Sequence, residues 1–432
     1  MTRKISEIKV EKFIGNQNFE SWSLPEIVKK FSEERLIVPE FQRNDIWDNA
    51  KKSRLIESIL RDIPIPAIYL EKENDEKYIV IDGQQRIRAI VQYLNNEFKL
   101  VGLSKLEELK NLKYNNLKGN NYLRRKLEEV KIPIIIISDC SKEMKYEIFE
   151  RLNTGAMQLN AQELRNCMFH GNYNNLIKKL SLNEDFKYLL GSIYGKYHNR
   201  MIDAELILRF FALSRLGYHI FEKYKSPMKK FLNNEMETHK DINDMEAREL
   251  TKKFEKSVRL TRLTFDKNAF RKFSIGSEVD PNGKWEKNIN KALFDIVMCG
   301  FSILPYDENT FNKYSGAIKE ELLYLMTENE EFIKSTFGGA GVTSTNNLSM
   351  VRTRFNIWLE AVNKIIANKK NIFSSSLKNQ IYEENPNCYL CGKRIQNIDD
   401  AVIYRVKYYW RGENIPINSK LVHRYCNIYS EV

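Results

Sequence analysis

Apolar and polar positions change their rhythm along this chain, and the changes mark out three regions. In the first, Lys77-Tyr-Ile-Val-Ile81, Ile65-Pro-Ala-Ile-Tyr-Leu70 and Lys131-Ile-Pro-Ile-Ile-Ile-Ile137 are short β-branched runs of the kind that form buried strands. Between them the period lengthens. Ala50 to Arg61 places Leu55, Ile56, Ile59 and Leu60 on one face, and Arg86 to Leu94 does the same with Ile87, Ile90, Val91 and Leu94, so both stretches are read as helices. From about residue 171 the pattern is that of successive amphipathic helices, clearest over Ala204–Leu213 and Asn356–Ile366. The glycine-rich stretch Phe337 to Asn346 reads as a flexible loop before a helix carrying Arg352 and Arg354, and the polar stretch Lys369 to Gln380 leads into a compact tail. The expected fold class is therefore α+β: an α/β domain over 1–170, a helical domain over 171–378 and a small module over 379–432. No internal repeat interrupts this order.

Composition narrows the partners. The 432 residues carry a formal net charge of +12, with a sequence pI near 9.1, which favours a polyanionic partner such as nucleic acid over a charge that serves solubility alone. No apolar run reaches the roughly 18 residues of a membrane helix, and Met1 to Ser6 lacks the apolar core of a signal peptide, so a cytoplasmic location is expected. Of six cysteines, Cys140, Cys167 and Cys299 stand alone and are expected to be buried, reduced thiols. The other three cluster in the tail.

The first chemistry lies where a strand hands over to a helix, in Ile81-Asp82-Gly83-Gln84-Gln85-Arg86. Glycine allows a tight turn and close ligand approach. The free amides that open the helix can receive an anion, and Arg86 brings a guanidinium fork. Asp82, Gln84 and Gln85 are suited to a metal, a water or a base edge. The same turn, taken alone, is also an ordinary capped junction. Arg43, in Val38-Pro-Glu-Phe-Gln-Arg43, reads alone as a surface ion pair, and Asn153-Thr154-Gly155 as a helix C-cap or an anion-accepting backbone nest.

Taken in order, P-x-F-Q-R, D-G-Q-Q-R and F-x-R-L-N-T-G, then Leu159-Asn-Ala-Gln-Glu163-Leu-Arg165, resemble the N-terminal domain of GmrSD-type, modification-dependent restriction endonucleases. That domain is similar to the ParB/sulfiredoxin nucleotide-binding fold. Asp203-Ala-Glu-Leu-Ile-Leu-Arg209 resembles its helical continuation. The resemblance implies a prokaryotic anti-phage defence protein that binds and hydrolyses an NTP with Mg²⁺. Asp82, Gln84, Gln85 and Arg86 would act catalytically, and Arg43, Gly83, Asn153 and Thr154 would support the nucleotide.

The second chemistry is a zinc frame. Cys388-x2-Cys391, then His423-x2-Cys426 about thirty residues later, has the spacing of one tetrahedral site. A structural zinc contributes on the order of 10 kcal/mol, which a module this small needs in order to fold. The tail resembles HNH endonucleases of the ββα-metal type: Gly412 falls in the loop position, Asn418 at the central Asn, and Cys426-Asn427 at the close. The departure is decisive. Where the family has its Asp-His pair, this chain has Tyr404-Arg405. Arginine stays protonated and cannot serve as the general base, whose loss costs about 10²–10⁴ in rate. What remains is Tyr404 to Arg411, where Arg405, Lys407, Tyr409 and Arg411 interleave cations with rings suited to DNA or RNA; the tail from Asn385 carries seven Lys/Arg against four Asp/Glu.

Three readings stand side by side. In the first, an NTP-binding defence protein, paired with a partner defence subunit or with copies of itself, docks on nucleic acid and leaves cleavage to a partner or to a site not recognised in the sequence. In the second, the tail is an active nuclease in which Glu413, Asp399 or Asp400 replaces the lost pair. In the third, the chain is a non-enzymatic DNA-binding regulator.

Overall fold

The computed structural model describes residues 15–38, 47–73, 77–152, 160–198, 200–217, 223–367, 375–405 and 419–429. The chain divides into two compact units, Met1–Met168 and Phe169–Val432. The fold is mixed α and β, as the alternating periods imply, with a mixed sheet in the first unit and mostly helices in the second.

The first unit is built on a five-stranded sheet: β1 (Asn16–Ser23), β2 (Leu36–Ile37), β3 (Ile68–Lys72), β4 (Tyr78–Asp82) and β5 (Lys131–Ser138), in the order β1-β5-β3-β4-β2. β1 is antiparallel to β5, β5 parallel to β3, β3 antiparallel to β4, and β4 parallel to β2. The three predicted strands are present, each shifted by a few residues at most. The polar edge strand β1 carries no alternating apolar signal, because most of its side chains face water.

Helices α1 (Leu24–Ser32), α2 (Asn49–Leu60) and α3 (Gln84–Leu94) pack among themselves and help form the core with the sheet, while α4 (Asn121–Glu129) leads into β5. Ser23 caps α1 through Glu26 N–H, with a proline in the first turn, and Asp48 caps α2 through Lys51 N–H. Leu55, Ile56, Ile59 and Leu60 of α2 and Ile87, Ile90 and Val91 of α3 are buried together with Ile132, Ile134 and Ile136 of β5. Each such side chain stabilises the fold by about 1.5–3 kcal/mol. A buried polar clamp closes this unit: the Glu57 carboxylate accepts from the N–H groups of Ser104, Lys105 and Leu106, at 3.0, 2.6 and 2.9 Å. Burial alone would raise the Glu57 carboxyl, but these donors outweigh it and hold it at about 2. Helices α5 (Lys142–Leu152) and α6 (Ala161–Met168) complete the unit; Phe149 of α5 and Leu164 of α6 enclose Ile81 of β4.

The second unit contains α7 (Asn172–Ser181), α8 (Glu184–Leu190), α9 (Tyr194–His198), α10 (Ile202–Leu216), α11 (Met228–Thr238), α12 (Asp244–Phe265), α13 (Lys291–Ile303), α14 (Glu308–Thr327), α15 (Glu330–Phe337) and α16 (Leu348–Ala367). α13 is buried from Ala292 through Phe301, and α10, α12 and α16 pack on it. At its centre Arg209 donates to Asp295, through Nε at 2.8 Å and also through Nη2, and Arg354 adds a second contact at 3.4 Å. Arg354 also donates to the Ser335 carbonyl at 3.3 Å and to Thr345 O at 2.5 Å, so the end of the glycine-rich loop is tied to the core.

A β-hairpin, β6 (Arg271–Ser274) with β7 (Lys284–Ile289), interrupts the helices and pairs Phe273 with Trp285 edge to face. Cys299 is buried, whereas Cys140 is only half-buried, and the Cys167 side chain lies outside what the structure describes. The unit ends with α17 (Ser375–Glu384), the hairpin β8 (Ala401–Arg405) and β9 (Ser419–His423), and α18 (Arg424–Tyr429). Among the described residues no helix is long and apolar enough to cross a membrane.

Candidate functional site

Gly83 joins β4 to α3 with φ at +100°, in the left-handed region. A Cβ there would meet Ile68 Cγ1 at 2.8 Å, so glycine is required by both backbone and packing. No side chain caps α3, and its first intrahelical bond runs from Ile87 N–H to Gly83 O. The N-cap itself, being glycine, has no side chain to receive the first amides of α3, and helix N-termini of this kind can receive phosphate or carboxylate oxygens.

Arg86 is placed differently from the outward fork that the motif suggests. Its guanidinium donates to Asp82 Oδ2 at 2.5 Å, to Ala67 O at 3.3 Å and to Pro66 O, and its side chain is 11% exposed. Arg86 thus ties the turn to the chain entering β3 and offsets the Asp82 charge, while Asp82 stays 40% exposed. The Gln85 carboxamide oxygen accepts from Trp47 N–H at 3.3 Å, which fixes the start of α2 against the turn. Gln84 occupies the first position of α3. Arg43, Asn153 and Thr154 lie outside the described residues.

Within the motif, residues 160–163 have a structural role. Asn160 accepts from the N–H groups of Gln162 and Glu163, and Glu163 Oε2 accepts from Asn160 N–H at 2.7 Å. That reciprocal capping box starts α6, whose Leu164 packs toward β4. The segment therefore sets the helix that backs the strand leading into Gly83.

In the tail, the ligand atoms of Cys388, Cys391, His423 and Cys426 all lie within 4.8 Å of one another. His423 Nδ1 stands 3.5 Å from Cys391 Sγ and 3.8 Å from Cys426 Sγ, close to the spacing that bonds of about 2.3 Å to sulfur and 2.0–2.1 Å to nitrogen give around one tetrahedral zinc. The knuckle is built locally. Cys388 N–H donates to Lys393 O, Gly392 N–H donates to Cys388 O, and Gly392 turns back with φ at +72°. His423 is fully buried, and its Nε2 lies 3.4 Å from Arg394 O, a partner that orients Nδ1 toward the sulfurs. Burial would push the Cys388 thiol up, but the His423 ring and nearby N–H groups bring it down to about 6. Burial and the neighbouring sulfurs push Cys426 up, a crowding of charge that a divalent cation relieves. The four residues fit a zinc ion.

Tyr404 stacks on Tyr389 at 6.2 Å and 27°. Lys407, Tyr409 and Arg411 lie outside the described residues, as do Gly412, Glu413 and Asn418; Arg405 ends β8, with its side chain undescribed. Asp399 and Asp400 are buried and engaged. Asp399 pairs with Lys319 at 2.6 Å and accepts from Trp285 Nε1 at 3.0 Å; Asp400 accepts from Gly283 N–H at 3.0 Å, and burial pushes its carboxyl up. Together with Arg424, which donates to Glu320 at 2.9 Å, they seat the zinc hairpin on β6–β7 and α14. Their role in docking is hidden from sequence reasoning, since Trp285, Gly283 and Glu320 each lie more than a hundred residues from the tail residue they engage.

Residues 24–170 match the family described as GmrSD restriction endonuclease, N-terminal domain. The chain thus carries the N-terminal domain of the GmrSD restriction endonuclease family. The match covers β4, Gly83, α3 and the α5–α6 pair, the elements that build the turn. No curated protein matches the chain.

Proposed function

We propose that this protein is a restriction-type, anti-phage defence protein in which a nucleoside triphosphate bound at the Gly83 turn regulates engagement of nucleic acid by the zinc-bearing tail. The observation that carries the reading is the left-handed glycine, Gly83, standing at the N-cap of α3 where the strand turns into the helix. Phosphate oxygens would accept from the Gln84 and Gln85 amides, assisted by the positive end of the helix dipole. Arg86 neutralises Asp82, so the anion meets no net negative charge at the turn. Asp82 would supply the single carboxylate that a phosphate-bound Mg²⁺ takes from a protein. Arg43, Asn153 and Thr154 would add contacts, and the ParB/sulfiredoxin-like reading of the first unit belongs to the same proposal.

The tail is read as a zinc scaffold with a cationic, aromatic surface that binds DNA, or RNA by the same contacts, with cleavage left to a partner subunit. Asp399, buried and paired with Lys319 and Trp285, and Asp400, buried and accepting from Gly283 N–H, favour docking over nuclease chemistry. Hydrolysis of each NTP with Mg²⁺, with and without DNA, in wild type and Arg86→Ala tests the proposal. It expects turnover in wild type and a loss of about tenfold or more in the variant. Equal rates at background in both would remove NTP hydrolysis from the reading.

A further inference from the structure

A cleft of 470 Å³ opens in the tail between α17 and the strand β9, within the roughly 300–1,000 Å³ of small-molecule sites. α17 turns one face toward it, the positions 377, 380, 381 and 384 that share a side of a helix. Its polar wall holds three carboxamides, those of Gln380, Asn385 and Asn387, and Leu421 contributes apolar surface. Tyr389 closes one side; its ring is half exposed and already stacked on Tyr404, so it extends a flat aromatic surface to the mouth of the cleft. Apart from Cys388, which belongs to the zinc cluster, the charged lining residues are Glu384 and Lys420, and these two offset one another.

That chemistry selects among ligands. A phosphate would need a cationic lining, and an extended apolar side chain would cover carboxamide edges without pairing them, although Gln380 also donates to Glu384 at 3.2 Å and Asn385 accepts from Asn387 N–H at 3.1 Å. A nucleobase meets both demands. Its face stacks on tyrosine, and its edge offers the donor and acceptor pairs that Asn and Gln engage bidentately. We infer that the α17–β9 cleft accepts one unpaired nucleobase of a nucleic-acid strand held on the tail. The inference rests on the reading of the tail as a nucleic-acid surface and adds the site at which a base is read.

The test uses the full-length, zinc-loaded protein and fluorescence anisotropy with single-stranded twelve-residue DNA probes. One carries bases throughout and one carries a central run of abasic sites. Wild type is expected to bind the base-bearing probe about five- to tenfold more tightly than the abasic one. Tyr389→Ala, and separately Gln380→Ala with Asn387→Ala, should bring the base-bearing probe down to the abasic affinity, with zinc content unchanged. Equal wild-type affinity for both probes overturns the cleft as a base site while leaving nucleic-acid binding intact. No binding of either probe overturns the nucleic-acid reading with it. Displacement by free nucleoside monophosphates, without discrimination between the probes, overturns a strand as the source of the base.

Discussion

The Arg86 guanidinium and the Asp82 carboxylate meet at 2.5 Å across the left-handed Gly83, so the two charged residues of the turn hold each other. The same guanidinium reaches the Ala67 carbonyl before β3. Arg86 is therefore as much a brace for the turn as a partner for an anion. Replacing it with lysine keeps the charge and loses the fork, which separates these roles. Arg86→Lys should retain nucleotide affinity better than Arg86→Ala, yet melt at a lower temperature than wild type, as circular dichroism will read.

Gly83→Ala tests the turn itself. A Cβ at φ +100° is strained, and it would press on Ile68 at 2.8 Å. The expected cost is about 2–3 kcal/mol in the stability of the first unit, measured by denaturant unfolding, together with loss of anion binding.

Acid should loosen the first unit through Glu57. Its carboxyl lies near 4.5 when unfolded and at about 2 in the fold. Because the folded value is depressed, this stabilisation is complete above about 4.5 and disappears as pH falls toward 2. Its size is on the order of 2–3 kcal/mol at neutral pH. The stability gap between wild type and Glu57→Gln should shrink steadily across that window; a gap independent of pH would remove the clamp from the account.

Metal removal should act beyond the knuckle. His423 adjoins Arg424, which donates to Glu320 on α14 at 2.9 Å, and Trp285 on the β6–β7 hairpin donates to Asp399. One zinc per chain is expected by elemental analysis, falling to none in Cys388→Ser. Chelation should shift the emission of tryptophan through Trp285, and Trp285→Phe should lose that part of the shift.

Asp295 is the counter-charge for two buried arginines, Arg209 and Arg354, and burial has already lowered Arg354 to about 10. Asp295→Ala leaves both cations without it. The expected loss is about 3–5 kcal/mol, enough to leave the second unit largely unfolded in a thermal melt.

The parts of this fold legible in the sequence are those set by local rules. The change from period two to period 3.6 at Asp82-Gly83 locates β4 and α3, and the Ile-rich run locates β5. The cysteine spacing assembles as one cluster because the knuckle closes through its own backbone bonds. Other features depend on distant partners. The β1 edge strand shows no apolar alternation, and the β6–β7 hairpin is set by Phe273–Trp285 packing and by carboxylates more than a hundred residues away. The engagement of Arg86 is equally hidden, since carbonyls some twenty residues upstream receive it.

The most direct measurement of the central claim is equilibrium binding of a non-hydrolysable NTP analogue with Mg²⁺ to the full-length protein, by calorimetry, in wild type, Arg86→Ala and Cys388→Ser. The account predicts one site per chain, at least about tenfold weaker binding in Arg86→Ala, and unchanged affinity in Cys388→Ser. Absence of binding to wild type, or binding that survives Arg86→Ala and disappears in Cys388→Ser, would contradict it.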